Sequence, residues 1–146
     1  MQREFITFEV NGQTFGFDIM AILEIRAWTA PARLPHVPPY VAGVINLRGT
    51  ILPVIDLAVR FGWPGAEATA RHAMIVTQVN GQARGLIVDS VSDIVTIESD
   101  AMQSSPQMAD ERIVSFLEGV AAIDDMLVMV LDLAALNAEQ IVLQAA

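Results

Sequence analysis

The stretch GVINLRGTILPVIDL, residues 43–57, decides the fold. Its two apolar runs, residues 44–45 and 51–55, are rich in β-branched side chains, which favour strands over helices. Between them lies Asn-Leu-Arg-Gly, in which Gly49 can adopt a positive φ at little cost and so permits a tight turn. The stretch therefore predicts a β-hairpin whose tip carries Arg48, with its guanidinium pointing outward into water.

The same pattern returns later in the chain as GVAAIDDMLVMVLDL, residues 119–133. The two copies align without a gap and share the pairs Gly43/Gly119, Val44/Val120, Asp56/Asp132 and Leu57/Leu133. Their turns differ, because Ala-Ile-Asp-Asp stands where the first copy has Asn-Leu-Arg-Gly. A repeated scaffold with an unrepeated polar tip indicates a function at the first tip. An ordinary turn with a solvated arginine is the alternative interpretation.

Two further hairpins are predicted around Asn-Gly dipeptides, a strong signal for a two-residue type I′ turn. In the first, a turn at Asn11 and Gly12 lets Phe8 face Phe15 on one apolar face, so turn and pattern agree on the register. The sequence Val-Asn-Gly-Gln of this turn recurs 69 positions later, at residues 79–82. The chain is thus predicted to be a duplication.

The duplication predicts an all-β fold with short helices, as one domain over residues 1–146. The domain is expected to contain two small lobes of about five strands each, bounded by residues 4–62 and 72–135. An Asn-Ala-Glu-Gln capping box predicts a short terminal helix at residues 137–145.

Composition excludes several classes of function. The chain has 146 residues, 53% of them hydrophobic and 17% charged, which is typical of a globular protein. Its net charge of −9 and lack of a basic stripe argue against binding to nucleic acid or to anionic membranes. No apolar run approaches the ~20 residues of a membrane helix, and no secretory signal is recognisable. The absence of cysteine fits a cytoplasmic location.

The sequence contains no pattern that predicts catalysis. The two histidines, His36 and His72, have neither metal-ligand nor triad spacing and are expected to be solvated. The adjacent carboxylates Asp124 and Asp125 are expected to form a turn rather than a metal site or an acid pair, because adjacent strand residues face opposite ways. We therefore predict no catalytic residue, no metal site and no cofactor. What remains is a β-rich binding module.

The chain resembles the family of bacterial chemotaxis coupling proteins, the CheW-like adaptors, over essentially its whole length. The motifs that carry the resemblance are Phe5-Ile6-Thr7-Phe8, Gly16-Phe17-Asp18-Ile19, Glu24-Ile25-Arg26, Leu34-Pro35, Pro39-Tyr40, residues 43–49, Pro53-Val54-Ile55-Asp56-Leu57, Gly85-Leu86-Ile87-Val88-Asp89 and Val91-Ser92-Asp93-Ile94. The Asn-Leu-Arg-Gly turn with its flanks is the most specific of these.

The resemblance implies two pseudo-symmetric SH3-like five-stranded β-barrels that share a hydrophobic core. It also implies a non-catalytic adaptor that links the cytoplasmic tips of chemoreceptors to the regulatory domain of a histidine autokinase, in arrays at the inner face of the membrane. By motif, the receptor-binding residues would be Glu24, Ile25, Asn46 and Arg48 in the first lobe and Gly85 and Val88 in the second. Where some members carry an arginine and an aromatic at a ring contact, this chain has Gln103 and Met108, so any self-association in rings is expected to be weak.

Two other functions fit the same sequence pattern. The chain resembles the regulatory domain of the histidine kinase itself, which has the same fold in this family. A small β-barrel enzyme or ligand carrier is the third candidate, and it lacks a catalytic constellation.

A specific contact is predicted between Glu24 and Arg48. At the corresponding positions of the second half the chain has Asp93 and Asp124, two acids, so only the first half can form an ion pair there. We expect this pair to lie on the surface of the first lobe and to shape the receptor groove.

Overall fold

The structure is a computed structural model that describes residues 2–65, 71–104 and 111–136. Within these residues the chain forms strands and three one-turn α-helices. The strands are β1 (Gln2–Val10), β2 (Gln13–Asp18), β3 (Ile22–Ala27), β4 (Val41–Leu47), β5 (Thr50–Asp56), β6 (Ala73–Val79), β7 (Gln82–Val88), β8 (Ser90–Glu98), β9 (Leu117–Ile123) and β10 (Met126–Leu131). The helices are α1 (Leu57–Arg60), α2 (Glu111–Val114) and α3 (Leu133–Leu136). The predicted helix at residues 137–145 lies outside the described residues.

The Asn-Gly hairpins form as predicted. Asn11 and Gly12 have φ values of 52° and 75°, and Asn80 and Gly81 have 54° and 77°, so both turns use the left-handed region that type I′ requires. Phe8 lies opposite Phe15, which confirms the register.

The strands build two five-stranded sheets of equivalent topology. Sheet A has the order β8-β1-β2-β10-β9, and sheet B has the order β3-β6-β7-β5-β4. Each strand of sheet A has a counterpart in sheet B whose number differs by five: β8 corresponds to β3, β1 to β6, β2 to β7, β10 to β5 and β9 to β4. The two halves of the chain therefore have equivalent places in the fold. Among the described strands the first and last of each order do not pair, so each sheet forms a lobe that is open rather than a closed barrel.

The lobe bounds predicted from the sequence, 4–62 and 72–135, do not coincide with the sheets. Hairpin β1–β2 belongs to sheet A with the last three strands, and hairpin β6–β7 belongs to sheet B with β3, β4 and β5. The reason is a pair of parallel contacts: β2 pairs with β10 at Gly16 and Val130, and β7 pairs with β5 at Gly85 and Val54. Parallel neighbours cannot be joined by a hairpin, so β2 and β7 each pair with a strand from the other half of the chain. Each Asn-Gly hairpin therefore lies in a sheet whose other three strands come from the other half.

A single apolar core joins the two sheets. It combines residues of sheet A, of sheet B and of the three helices: Ile6, Phe8, Val10, Phe15, Phe17, Val41, Ile55, Leu57, Phe61, Ile75, Leu86, Val88, Ile113, Leu131, Leu133 and Leu136. Phe15 of β2 stacks on Phe61, which follows α1, with ring centroids 5.2 Å apart. Aromatic pairs at this spacing add to the burial energy, so the helix after β5 fastens sheet B to sheet A.

The glycines that open the repeated stretch make room for the connectors. Gly43 has a φ of +150°, and a Cβ there would lie 2.1 Å from the carbonyl oxygen of Ala32. A Cβ on Gly119 would lie 2.7 Å from the carbonyl oxygen of Gln103. Ala32 bridges to Val44 and Gln103 bridges to Val120. Each glycine is therefore required because a connector backbone crosses directly over its strand.

A charged cluster on sheet A connects three of its strands. Arg3 of β1 donates from Nη2 to Oδ2 of Asp18 at 2.9 Å and to Oε2 of Glu118 at 3.2 Å, and from Nη1 to Oε1 of Glu118. The hydrogen bond to Glu118 is the main cause that raises the pKa of Arg3 further above its ordinary value. This permanent cation thus links β1, β2 and β9.

None of the helices in the described ranges is long and apolar enough to cross a membrane.

The shared core predicts that the two sheets unfold as one unit. Calorimetry of the full chain should show one transition whose calorimetric and van't Hoff enthalpies agree. Fragments 1–65 and 71–146, each lacking strands that complete its sheets, should show no cooperative transition alone. Two well-separated transitions in the full chain, or a cooperatively folding fragment, would contradict this.

Gly43→Ala should be much more destabilising than Gly12→Ala. Gly12 also has a positive φ, +75°, but a Cβ added there would meet nothing within 4 Å, so its replacement should cost only the left-handed backbone term of about 1–2 kcal/mol. Gly43→Ala adds the clash with Ala32 and should cost roughly 1–3 kcal/mol more. Urea unfolding of both variants measures the difference. Equal losses of unfolding free energy in the two variants would contradict this expectation and show that the connector moves to accommodate the methyl group.

Candidate functional site

A β-bulge positions Glu24. In the pairing of β3 with β6, Ile22 lies opposite Thr77 and Glu24 lies opposite Val76, so Leu23 is an extra residue. Bulges redirect the neighbouring side chains and occur often at sheet edges. Here the bulge follows a 3-10 turn at Ile19–Ala21. Ile19, Ile22 and Ile25 are spaced by three residues because Ile19 lies in this turn and the other two lie on the edge strand.

The hairpin β4–β5 presents Arg48. Arg48 and Gly49 form the turn with φ values of 50° and 88°. Asn46 Oδ1 accepts a hydrogen bond from Gly49 N at 2.8 Å, so this exposed amide fixes the turn. The Arg48 side chain is 78% exposed. Asn46 therefore has a structural task in holding the tip, while Arg48 is accessible to another molecule.

The predicted ion pair forms. Arg48 Nη2 lies 2.8 Å from Glu24 Oε2, and Arg26 Nε lies 3.6 Å from Glu24 Oε1. Glu24 thus contacts two arginines. Because β3 and β4 are the two edge strands of sheet B, the contact between Glu24 and Arg48 connects the two edges of that sheet. Glu24 is half-buried and Arg48 is largely solvated, so the pair is screened by water on the arginine side and should add only ~0–1 kcal/mol to folding. Its main effect is to orient the Arg48 guanidinium.

The equivalent site on sheet A has different chemistry. Asp93 lies at the matching bulge of β8, and its carboxylate accepts from Ile94 N at 2.8 Å. Its main chain is held by the buried hydroxyl of Thr7, which accepts from Asp93 N and donates to Asp93 O, both at 3.1 Å. Asp124 stands at the tip of the β9–β10 turn with φ 53°, so the adjacent acids form a turn, as predicted.

An apolar cleft adjoins the Arg48 tip. It encloses about 440 Å³ and is lined by Leu23, Leu47, Arg48, Thr50, Ile51, Leu52, Gln78, Gly81 and Ala83. Leu23 is 53% exposed and Ile51 is 54% exposed. Ile25, the predicted apolar contact on β3, is 43% exposed. Solvent-exposed aliphatic side chains beside an oriented arginine form the mixed surface that is typical of protein interfaces.

Two of the six predicted site residues are elsewhere. Val88 is fully buried in the shared core, and Gly85 is buried on β7, the middle strand of sheet B. A Cβ on Gly85 would lie 2.9 Å from the sulfur of Met74. Neither residue forms a surface wall. The structure brings Glu24 into contact with Arg48, places Asn46 in the Arg48 turn, and leaves Ile25 exposed beside Glu24 on β3. The burial of Gly85 and Val88 follows from the central position of β7, which is covered on both faces.

The sequence did not predict that Arg26, Leu23 and Ile51 lie at this surface. The signal for Arg26 was present, since a strand over residues 22–27 places alternate residues 24 and 26 on the same side. No such signal pointed to Ile51, which belongs to an apolar run that is typical of a core strand.

The surface around Arg48 combines groups that suit the recognition of a partner. Among the described residues no group of three or more His, Asp or Glu side chains could hold a metal ion. What the surface offers is one oriented guanidinium, a carboxylate that fixes it, and neighbouring aliphatic side chains.

Comparison with known proteins shows to which family the chain belongs. The family model of the CheW-like domain matches residues 4–140. The probable chemotaxis protein CheW of Rhizobium etli is 44% identical over 137 residues, which cover 94% of this chain and 88% of that protein. The chemotaxis protein CheW of Rhizobium meliloti is 46% identical over 131 residues, which cover 90% and 84%. The crystal structure of the scaffolding protein TtCheW from Thermoanaerobacter tengcongensis matches with a TM-score of 0.82 at 31% identity, covering 91% of this chain and 86% of that one. This chain belongs to the CheW-like family of chemotaxis scaffolding proteins.

Proposed function

We propose that this protein is a non-catalytic adaptor that couples the cytoplasmic tips of chemoreceptors to a histidine autokinase. The observation that carries the proposal is the Glu24–Arg48 pair, 2.8 Å apart on the exposed tip of one sheet and replaced by two acids on the other. A duplicated scaffold needs no such difference for folding. The difference therefore belongs to recognition of a partner.

The receptor tip would dock at Glu24, Ile25, Asn46 and Arg48. Ile25 and the neighbouring Leu23 offer exposed aliphatic surface, and Arg48 offers a cation whose direction is set before binding. An oriented charge contributes to the orientation of the partner and to the rate of association more than to folding. Asn46 holds the turn that carries this charge.

The regulatory domain of the kinase would bind at a separate surface. The family resemblance supports this, since receptor and kinase are bound together in that family. Such an adaptor works in the cytoplasm, at the inner face of the membrane through the receptor array. Relatives named as chemotaxis protein CheW over 84–88% of their own length favour the adaptor over a domain of the kinase itself.

Arg48→Glu should weaken binding of a receptor-tip fragment about tenfold, since it places two acids at the docking surface. Its free energy of unfolding should change by less than ~1 kcal/mol, because the Arg48 side chain is largely solvated. Isothermal titration calorimetry and urea unfolding measure the two effects.

Two control variants make that test sharper. Adding Glu24→Arg to Arg48→Glu restores an opposite-charge pair and should recover part of the binding. Asp124→Ala, at the matching turn of sheet A, should leave receptor binding nearly unchanged. A large loss of stability in Arg48→Glu, or equal binding losses at Arg48 and Asp124, would contradict the proposed docking surface.

Receptor tip and kinase regulatory domain should bind at the same time. Analytical ultracentrifugation of the three components should show a ternary complex, and Arg48→Glu should remove the receptor from it while the kinase domain stays bound. Competitive displacement of one partner by the other would exclude the two-site adaptor.

A further inference from the structure

Sheet A holds one of the chain's own cations at the end where β1 begins. The guanidinium of Arg3 contacts the carboxylates of Asp18 and Glu118, which lie on β2 and β9. Arg3 Cζ also lies 4.9 Å from the centroid of the Phe5 ring. A planar cation, in contact with two carboxylates and an aromatic ring, therefore occupies this end of the sheet.

The matching end of sheet B has a cleft instead. The first hairpin repeats after 69 residues, and the stretch that begins at Gly43 repeats after 76. These offsets place His72, Ile87 and Ala42 at the positions of Arg3, Asp18 and Glu118, respectively. All three line a cleft of about 510 Å³. The cleft thus lies where the other half of the chain places a cation.

The cleft combines an apolar wall with two carboxylates. Trp28, which follows β3, lines the cleft and packs against a buried apolar cluster of sheet B. The carboxylates are those of Asp56, at the end of β5, and Asp89, after β7. Asp89 already contacts His72 Nε2 at 3.5 Å and accepts from Asn11 N at 2.8 Å. Asp56 is therefore the carboxylate to consider for a ligand.

Asp56 has one oxygen that the protein leaves available. Its Oδ1 caps α1 by accepting from Ala58 N at 3.1 Å and from Val59 N at 3.4 Å. Within the described ranges, no N–H or O–H group donates to Oδ2. Burial is the largest effect on the pKa of Asp56 and raises it, the α1 N–H groups lower it, the charge of Asp89 raises it and His72 lowers it. A cation that reached this half-buried carboxylate would stabilise its charge.

We propose that this cleft binds a guanidinium group, with Asp56 Oδ2 as its acceptor and Trp28 as its apolar contact. A guanidinium is planar and weakly hydrated, pairs with carboxylates and stacks on aromatic rings. The volume of the cleft is within the range of roughly 300–1,000 Å³ that is typical of small-ligand sites. Among the described residues that line it, none belongs to the proposed receptor-docking surface, so the site is independent of the adaptor function.

Titration of the full isotope-labelled chain with Nα-acetyl-arginine amide, followed by nuclear magnetic resonance, tests the site. We expect saturable shifts at the Trp28 indole N–H and the Ala58 amide, whereas the indole of Trp63, which packs on Phe15 and Phe61, should stay nearly constant. Nα-acetyl-citrulline amide has a neutral urea group in place of the guanidinium and should bind at least about tenfold more weakly. Equal binding of the two compounds, or no saturable shift with the arginine compound, would overturn the proposal.

Matched variants test the role of the carboxylate. Asp56→Asn removes the charge but keeps a residue type that caps helices well, and it should raise the dissociation constant about five- to tenfold. Asp132→Asn makes the same change at the equivalent cap of α3, where Asp132 accepts from Ala135 N at 3.2 Å, and should leave binding unchanged. His72→Arg places a cation at the position of Arg3 and should abolish binding. Equal effects of the two asparagine variants would contradict the proposed site.

Arg33 supplies a test in the opposite direction. It is exposed on the connector between β3 and β4 and also lines the cleft, so its charge would compete with the ligand for Asp56. Arg33→Gln should therefore lower the dissociation constant about two- to threefold. This variant decides the question should Asp56→Asn fail to fold, and unchanged or weaker binding would then refute the proposal.

A peptide probe identifies the source of the guanidinium. Acetyl-Gly-Arg-Gly-amide should bind as tightly as Nα-acetyl-arginine amide if the natural ligand is an arginine side chain of a partner protein. Weaker binding of the peptide would assign the site to a free guanidinium compound, because the flanking residues then prevent entry. Both results support a guanidinium site, and they distinguish its two sources.

Discussion

The parallel contacts between β2 and β10 and between β7 and β5 are the constraint on which the rest of the structure depends. They place the first hairpin of each half in the sheet of the other half. A parallel pair needs a long connection between its two strands. The chain accordingly leaves sheet A after β2, forms β3 to β7 in sheet B, and returns to sheet A at β8. The apolar faces of both sheets then meet in one core, to which α1 adds Leu57 and the residue after α1 adds Phe61.

A duplicated scaffold of this kind separates what folding requires from what recognition requires. Features that both halves need occur twice, such as the glycine beneath each connector and the bulge in each edge strand. A feature that occurs in only one half is not required by the fold that both halves share. The Glu24–Arg48 pair is such a feature, because the matching Asp93 turns its carboxylate to the Ile94 amide instead.

Local structure could be predicted well from the sequence, because its causes are local. Asn-Gly dipeptides set the type I′ turns, alternating apolar residues set the hairpin register, and the repeat predicts two halves of about five strands each. The ion pair could also be predicted, since two opposite charges stood where the second half has two acids. Family resemblance supplied the remaining site residues, of which Gly85 and Val88 are buried.

The features that could not be predicted depend on contacts between distant parts of the chain. No local pattern tells which sheet a hairpin will complete. The sequence therefore predicts lobes at residues 4–62 and 72–135, whereas each sheet contains strands from both halves of the chain. Gly85 and Val88 were assigned to a surface although both are buried. The continuous apolar run around them, residues 85–88, is typical of a strand covered on both faces and could have excluded them.

The central claim is that one tip of an otherwise repeated scaffold recognises the receptor. Nuclear magnetic resonance mapping of the isotope-labelled chain during titration with a receptor-tip fragment tests it most directly. We expect amide shifts to change at residues 23–26 and 46–51 and to stay nearly constant at the equivalent residues 92–95 and 122–127. Changes of similar size at both tips, or changes confined to the second, would contradict it.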